Sequence, residues 1–204
     1  MRRAWWCVAL LVACSEPTIP SRSDRYGFDL GGEVFHWPAD RLPVRFYAQP
    51  RGNLPFLVQR ASEAWAGQFL YGEFTARLVS DSFGADVIVY ADSAPDVPPD
   101  PGQPVNACSG VTRFAQVDNA TNRLTDRIHV ELTLVGVYTP AEVAACLRRT
   151  TIHELGHALG LFQHSSVTTD IMYAPPQVDL PSERDHRTVE VLYDTTATIL
   201  PAPP

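Results

Sequence analysis

Apolar and polar residues change period several times along the chain, and each change predicts an element. Leu42-Pro-Val-Arg-Phe-Tyr-Ala48 alternates like a half-buried strand, whereas Phe56 to Leu70 carries helical spacing at Phe56, Arg60 and Ala64 and at Leu57, Ala61 and Trp65. Ala85-Asp-Val-Ile-Val-Tyr-Ala91 reads as a buried strand, and the proline-rich run from Asp92 to Pro104 as a loop. Further strands are expected at Gly110 to Gln116 and Arg127 to Leu134, joined through Asp118 and Asn119. Thr139-Pro-Ala-Glu142 supplies a cap threonine, a proline at the first helical position and an acid in the first turn, so a helix begins there and runs into His153. Residues 15 to about 40 carry weak periodicity with several Pro, Gly and Ser, and read as a tether.

The spacing of histidines on that helix carries the chemistry. His153 and His157 are four apart, so they stand on one face roughly 6 Å from each other, a separation that suits two imidazoles on one ion. Glu154 lies about 100° round the helix and reaches a water on that ion without ligating it. On a continuing helix His164 would lie about 10 Å along the axis from His157, too far to share a metal, so the helix has to stop between them. Gly160 stands where a helix wants a left-handed residue to terminate and turn back.

Composition narrows the class. At 204 residues, 45% apolar and 19% charged, the chain suits one domain with a real core. Its formal charge is −7 and all 16 basic residues are arginines, without a basic cluster, which argues against nucleic acid as a partner. Met1-Arg2-Arg3 followed by an apolar run to Val12 has the form of an export signal, too short to span a bilayer as a helix. Leu11-Val-Ala-Cys14 resembles the lipobox of bacterial lipoproteins, which implies cleavage before Cys14, acylation of that cysteine and anchorage to a cell-envelope membrane on its periplasmic or surface side. An ordinary cleavage near Ala13 without lipid is the alternative. With Cys7 in the signal and Cys14 acylated, Cys108 and Cys146 remain, and an oxidising compartment pairs them. The competing role for Cys108 is a latency thiol that blocks the metal.

His153-Glu-Leu-Gly-His157, Gly160, His164 and the later Asp170-Ile-Met-Tyr173 together resemble the metzincin zinc proteases, most closely the matrixin-like branch with its H-E-x-x-H-x-x-G-x-x-H pattern and methionine turn. The resemblance runs from about Leu42 to Asp194. It implies an α+β zincin domain: a twisted mixed sheet, a long active-site helix, the Met-turn and a C-terminal helix, the last matched by Leu180 to Tyr193 with Ser182 as cap. Glu183, Asp185 and His186 on that helix read as a solvated face. The departure is one extra residue, so strict register puts Gln163 in the third-ligand place; His164 is chosen because imidazole is far the better zinc ligand. Met172 is implied as an apolar floor under the metal, and Tyr173 is not a ligand. His129 to Leu134 matches the edge strand against which an extended substrate pairs, with an ordinary sheet strand as the alternative.

The expected division is a signal at 1–13, a tether at 14–40, a protease domain at 41–196 and a tail at 197–204. The implied function is zinc-dependent endopeptidase action: one catalytic Zn2+ on His153, His157 and His164, Glu154 as general base, a peptide or protein substrate, and a monomeric enzyme held by its lipid. Structural calcium is left open, with Asp81, Asp118 and Asp126 as donors, although loop aspartates usually serve turns. Two other readings stand: a zincin whose third ligand is Glu183 or Glu190, and a zinc-binding envelope lipoprotein without turnover, against which an intact Glu154 speaks.

Overall fold

Strand β1 (Val44–Ala48) buries Val44, Phe46 and Ala48 and leaves the residues between them half exposed, the pattern of a strand with one face on a core. The computed structural model describes residues 24–93, 108–134 and 139–203. The signal sequence, Cys14 and most of the proline-rich loop lie outside them. After β1 come helix α1 (Leu54–Ala66), strands β2 (Ala76–Val79), β3 (Val87–Ser93) and β4 (Cys108–Arg113), the small ribbon of β5 (Val117–Asp118) and β6 (Arg123–Leu124), and β7 (Ile128–Leu134). Helices α2 (Pro140–Ala158) and α3 (Glu183–Asp194) complete the order.

The main sheet has the order β2-β1-β3-β7-β4, parallel throughout except for β4, which runs antiparallel to β7. This corrects the edge-strand reading. His129 to Leu134 is β7, hydrogen-bonded on both sides, and among the described residues β4 stands at the rim with β7 as its one strand neighbour. Sequence order carries no information about which strand of a sheet ends outermost. Helix α1 packs Leu54, Leu57, Val58, Ala61 and Trp65 inward, while Phe56 is exposed, so the stripe through Leu57 is the buried one of the two that periodicity offered.

A second correction concerns the tether. Tyr26, Phe28, Val34, Phe35 and Trp37 all belong to the core. This segment turns back once at Leu30–Glu33 and joins the domain by isolated contacts: Phe35 bridges Ile199, and the amides of Thr198 and Ile199 donate to Val34 O at 2.8 and 2.9 Å. Such a strap has no period to detect, since each buried aromatic answers a separate partner. The C-terminal residues are likewise built in, with Ile199 buried and Arg41 donating to Ala202 O.

One ion cluster ties the start of the domain to β3. Arg45 donates to Asp86 through Nε at 2.9 Å, Nη2 at 2.8 Å and its own amide at 2.9 Å, and Arg41 adds a bond at 2.7 Å. Burial alone would push the Asp86 carboxyl up, but the bonds from Arg45 and Arg41 outweigh it and hold the carboxyl below the ordinary aspartate range. A folded carboxyl so depressed contributes its stability above the unfolded value near 3.8 and loses it as pH falls through the folded one. Asp86→Asn is therefore expected to cost about 2 kcal/mol at pH 7, with a gap to the native chain that closes below about pH 4. Urea melts of both chains across this range test it; a gap that persists unchanged into acid would refute the assignment.

Candidate metal centre and catalytic site

Helix α2 begins with the capping box that its sequence spells: Thr139 and Glu142 each receive the other's backbone amide, and Pro140 opens the first turn. It ends in a Schellman motif, in which Gly160 N–H bonds His157 O at 2.8 Å, Leu161 N–H bonds Gly156 O at 3.2 Å, and Gly160 takes φ 112°. The Trp37 indole donates to Ala158 O at 3.0 Å and satisfies another orphan carbonyl of the last turn. A side chain at Gly160 would both adopt a disfavoured φ and drive into the carbonyl oxygen of Phe35. Gly160→Ala is expected to destabilise the domain by about 3 kcal/mol, or roughly 10 °C in Tm. A thermal melt within 2 °C of the native one would show that the turn relaxes freely.

Because the helix stops there, the chain turns back and His164 meets the other two histidines. His157 Nε2 lies 3.2 Å from His153 Nε2 and 3.2 Å from His164 Nε2. Among the described residues these three make the one group of metal-ligating side chains close enough to share an ion. The hydrogen bonds behind them define the tautomers. His153 Nδ1 faces Ile171 O at 2.8 Å and His157 Nδ1 faces Leu161 O. A carbonyl oxygen only accepts, so both Nδ1 atoms carry hydrogen and both Nε2 atoms present lone pairs. Lone pairs 3.2 Å apart repel unless a cation lies between them. The spacing also matches the edge of a tetrahedron with zinc–nitrogen bonds of about 2.0 Å, which is roughly 3.3 Å.

Electrostatics favour the same ion. Burial lowers His153 to about 4 and His157 to about 3, the latter also by the repulsion that a protonated His153 would exert, and burial lowers His164 as well. All three rings thus stay neutral, the form that offers a lone pair to metal. Gln163, by contrast, donates through Nε2 to Asp29 O at 2.8 Å, and is taken up by the N-terminal strap. Glu183 pairs with Arg187 and Glu190 with His186, and neither joins the histidines.

Glu154 is 4% exposed. Burial pushes its carboxyl up to about 7 against the hydrogen bond from Thr112, whose hydroxyl lies 2.7 Å from Oε2. A cavity of about 560 Å³ opens beside it, walled by Gly110, Thr150, His153, His164 and Pro175. The Cys108–Cys146 disulfide, with Cα atoms 5.8 Å apart, lies on the rim of this cavity and joins β4 to α2, so Cys108 offers no free thiol.

Below the histidines, Met172 is fully buried against Gly156 of α2. The turn that holds it depends on two buried carboxylates. Asp185 accepts from Ile171 N at 2.8 Å, Ser182 N at 2.7 Å and the Tyr26 hydroxyl at 2.7 Å, while Ile171 O in turn receives His153. Asp170 accepts from Ser165, from Ser182 Oγ at 2.7 Å and from Arg184 Nε at 3.0 Å, which braces the residue after His164. The solvated-face reading of Asp185 is thus overturned: it is 0% exposed. Its place three residues after the Ser182 cap is the legible signal, since that position points a carboxylate back over the helix start, here into the turn. Asp81, Asp118 and Asp126 each accept a nearby backbone N–H, those of Phe83, Ala120 and Arg127.

The Matrixin peptidase family matches residues 82–194, which include α2, the three histidines and α3. Among solved structures the chain is similar to that of myroilysin, with a TM-score of 0.41 and 13% identity, covering 79% of this chain and 96% of that one. No curated protein matches the chain.

Proposed function

The chain belongs to the matrixin family of zinc metalloendopeptidases, and from that premise we propose that it cleaves peptide bonds with Glu154 as general base, on zinc held by His153, His157 and His164. The observation that carries this reading is the convergence of three lone-pair nitrogens next to a nearly dry carboxylate. Zinc, when bound, supplies Lewis acidity, polarising the peptide carbonyl and making the neighbouring water a stronger acid. Glu154 takes a proton from that water as its oxygen adds to the carbonyl carbon. When the carbon–nitrogen bond breaks, the same carboxyl returns the proton to the departing amine. An extended substrate pairs with the rim of β4, whose outer backbone groups have no strand neighbour among the described residues.

The decisive experiment is cleavage of a mixed quenched-fluorescent peptide library by the zinc-loaded mature chain, before and after chelation. Cleavage that disappears with the metal and returns on adding zinc supports the reading. A chain that binds zinc and cleaves nothing in the library, nor any unfolded protein offered to it, refutes it.

The enzyme works, on this proposal, as a monomer exported and anchored to a bacterial envelope membrane through acyl chains on Cys14, a reading supported by Met1 to Cys14 as a sequence pattern. Detergent partition of the native chain and of Cys14→Ala tests it; equal recovery of both in the membrane fraction would rule the anchor out.

A further inference from the structure

Three alternate residues of β4 share the strand face turned to α2, and each meets that helix differently. Cys108 is bonded to Cys146. Gly110 lies so close that a Cβ there would stand 2.6 Å from Glu154 Cγ and 2.7 Å from Oε1, so only a bare Cα lets the glutamate keep its place. Thr112 ends the series, its Oγ1 2.7 Å from Glu154 Oε2 and 2.9 Å from Glu154 O.

We infer that Thr112 is a positioning residue for the hydrolysis, its hydroxyl holding the Glu154 carboxylate in the orientation from which it can take and return a proton. The inference rests on Glu154 acting as base. One hydroxyl has a single hydrogen and two lone pairs, and both acceptors within its reach belong to the same residue. While the carboxylate is ionised, Thr112 donates to Oε2. Once the carboxyl has taken the proton from water, that proton sits on Oε1, the oxygen Thr112 leaves free, and Thr112 goes on donating to Oε2 until the proton leaves for the amine. The contact therefore survives both halves of the proton transfer, and the bare Cα of Gly110 leaves the carboxylate the space it occupies beside β4. A Thr112 methyl in place of the hydroxyl would fill the same volume and hold nothing.

The test uses Thr112→Val and Thr112→Ser in the zinc-loaded mature chain, with kcat, KM, zinc content and crystal structures for both. Thr112→Val should lose 10- to 100-fold in kcat, with KM and zinc content unchanged and the carboxylate displaced from residue 112. Thr112→Ser should recover kcat to within about threefold, since it keeps the hydroxyl. A Val variant with native kcat, or a Ser variant that loses as much as Val, would overturn the assignment. Should the native chain cleave no peptide at all, the peptidase reading fails by itself. The crystal structures then decide Thr112 alone: a carboxylate that stays in place without the hydroxyl shows that Thr112 does not hold it.

Discussion

Glu154→Gln is expected to lower peptide hydrolysis by about 10² to 10⁴ while leaving the zinc content unchanged. Glutamine keeps the length, planarity and one oxygen of the native side chain, and it still accepts from Thr112. What it lacks is a site that binds a proton at working pH. The three nitrogens proposed to hold the metal come from other residues, and the tautomers of His153 and His157 depend on Ile171 O and Leu161 O and not on Glu154. Activity and metal content should therefore separate cleanly. Elemental analysis of both chains beside single-turnover cleavage of one peptide makes the comparison. Loss of zinc from the glutamine form would mean that the carboxylate supports the metal, and full activity would mean that the base lies elsewhere.

His164→Ala should weaken zinc binding by at least 100-fold, while Gln163→Ala should change it by less than about threefold. The first figure follows from spreading the 10–16 kcal/mol typical of a closed four-ligand site over its ligands, about 3 kcal/mol each. The second follows from where Gln163 bonds: its amide donates to Asp29 O, so its loss loosens the N-terminal strap and leaves the nitrogens in place. Competition with a chromophoric chelator reads both affinities. Loss of zinc from Gln163→Ala with retention by His164→Ala would return the third-ligand place to Gln163, and retention by both would point to an acid. The extra residue relative to the family pattern is accommodated in the turn after Gly160, where the chain has already left the helix.

Much of the site is legible because it is local. The spacing of His153 and His157, the stop at Gly160 and the capping box at Thr139 each involve residues within a turn or two, and local spacing is what a sequence displays. Helix α1 occupies Leu54–Ala66 against an expectation of Phe56 to Leu70, two residues out at its start and four at its end, where Gly67 caps it. The illegible parts depend on contacts far apart in sequence. Strand β2 has no buried residue and no alternation, because it is an exposed rim that α1 only partly covers. Thr112 and Gly110 acquire their meaning only when β4 is laid against α2, 42 residues away in the chain for the Thr112 bond. Tyr26 and Asp185, 159 residues apart, are a hydroxyl in a loop and an acid in a polar helix until folding brings them together.

That last contact bears on how the enzyme, if anchored through Cys14 as proposed, would be released or retired. Any scission upstream of Asp24 leaves every bond described for the strap intact, so the liberated domain would keep Tyr26 on Asp185 and Phe28 O on the Phe162 amide. Scission just beyond Trp37 removes several core aromatics in one stroke and takes away the indole that caps the active-site helix. Two cuts about fifteen residues apart would therefore have opposite outcomes, shedding in one case and inactivation in the other.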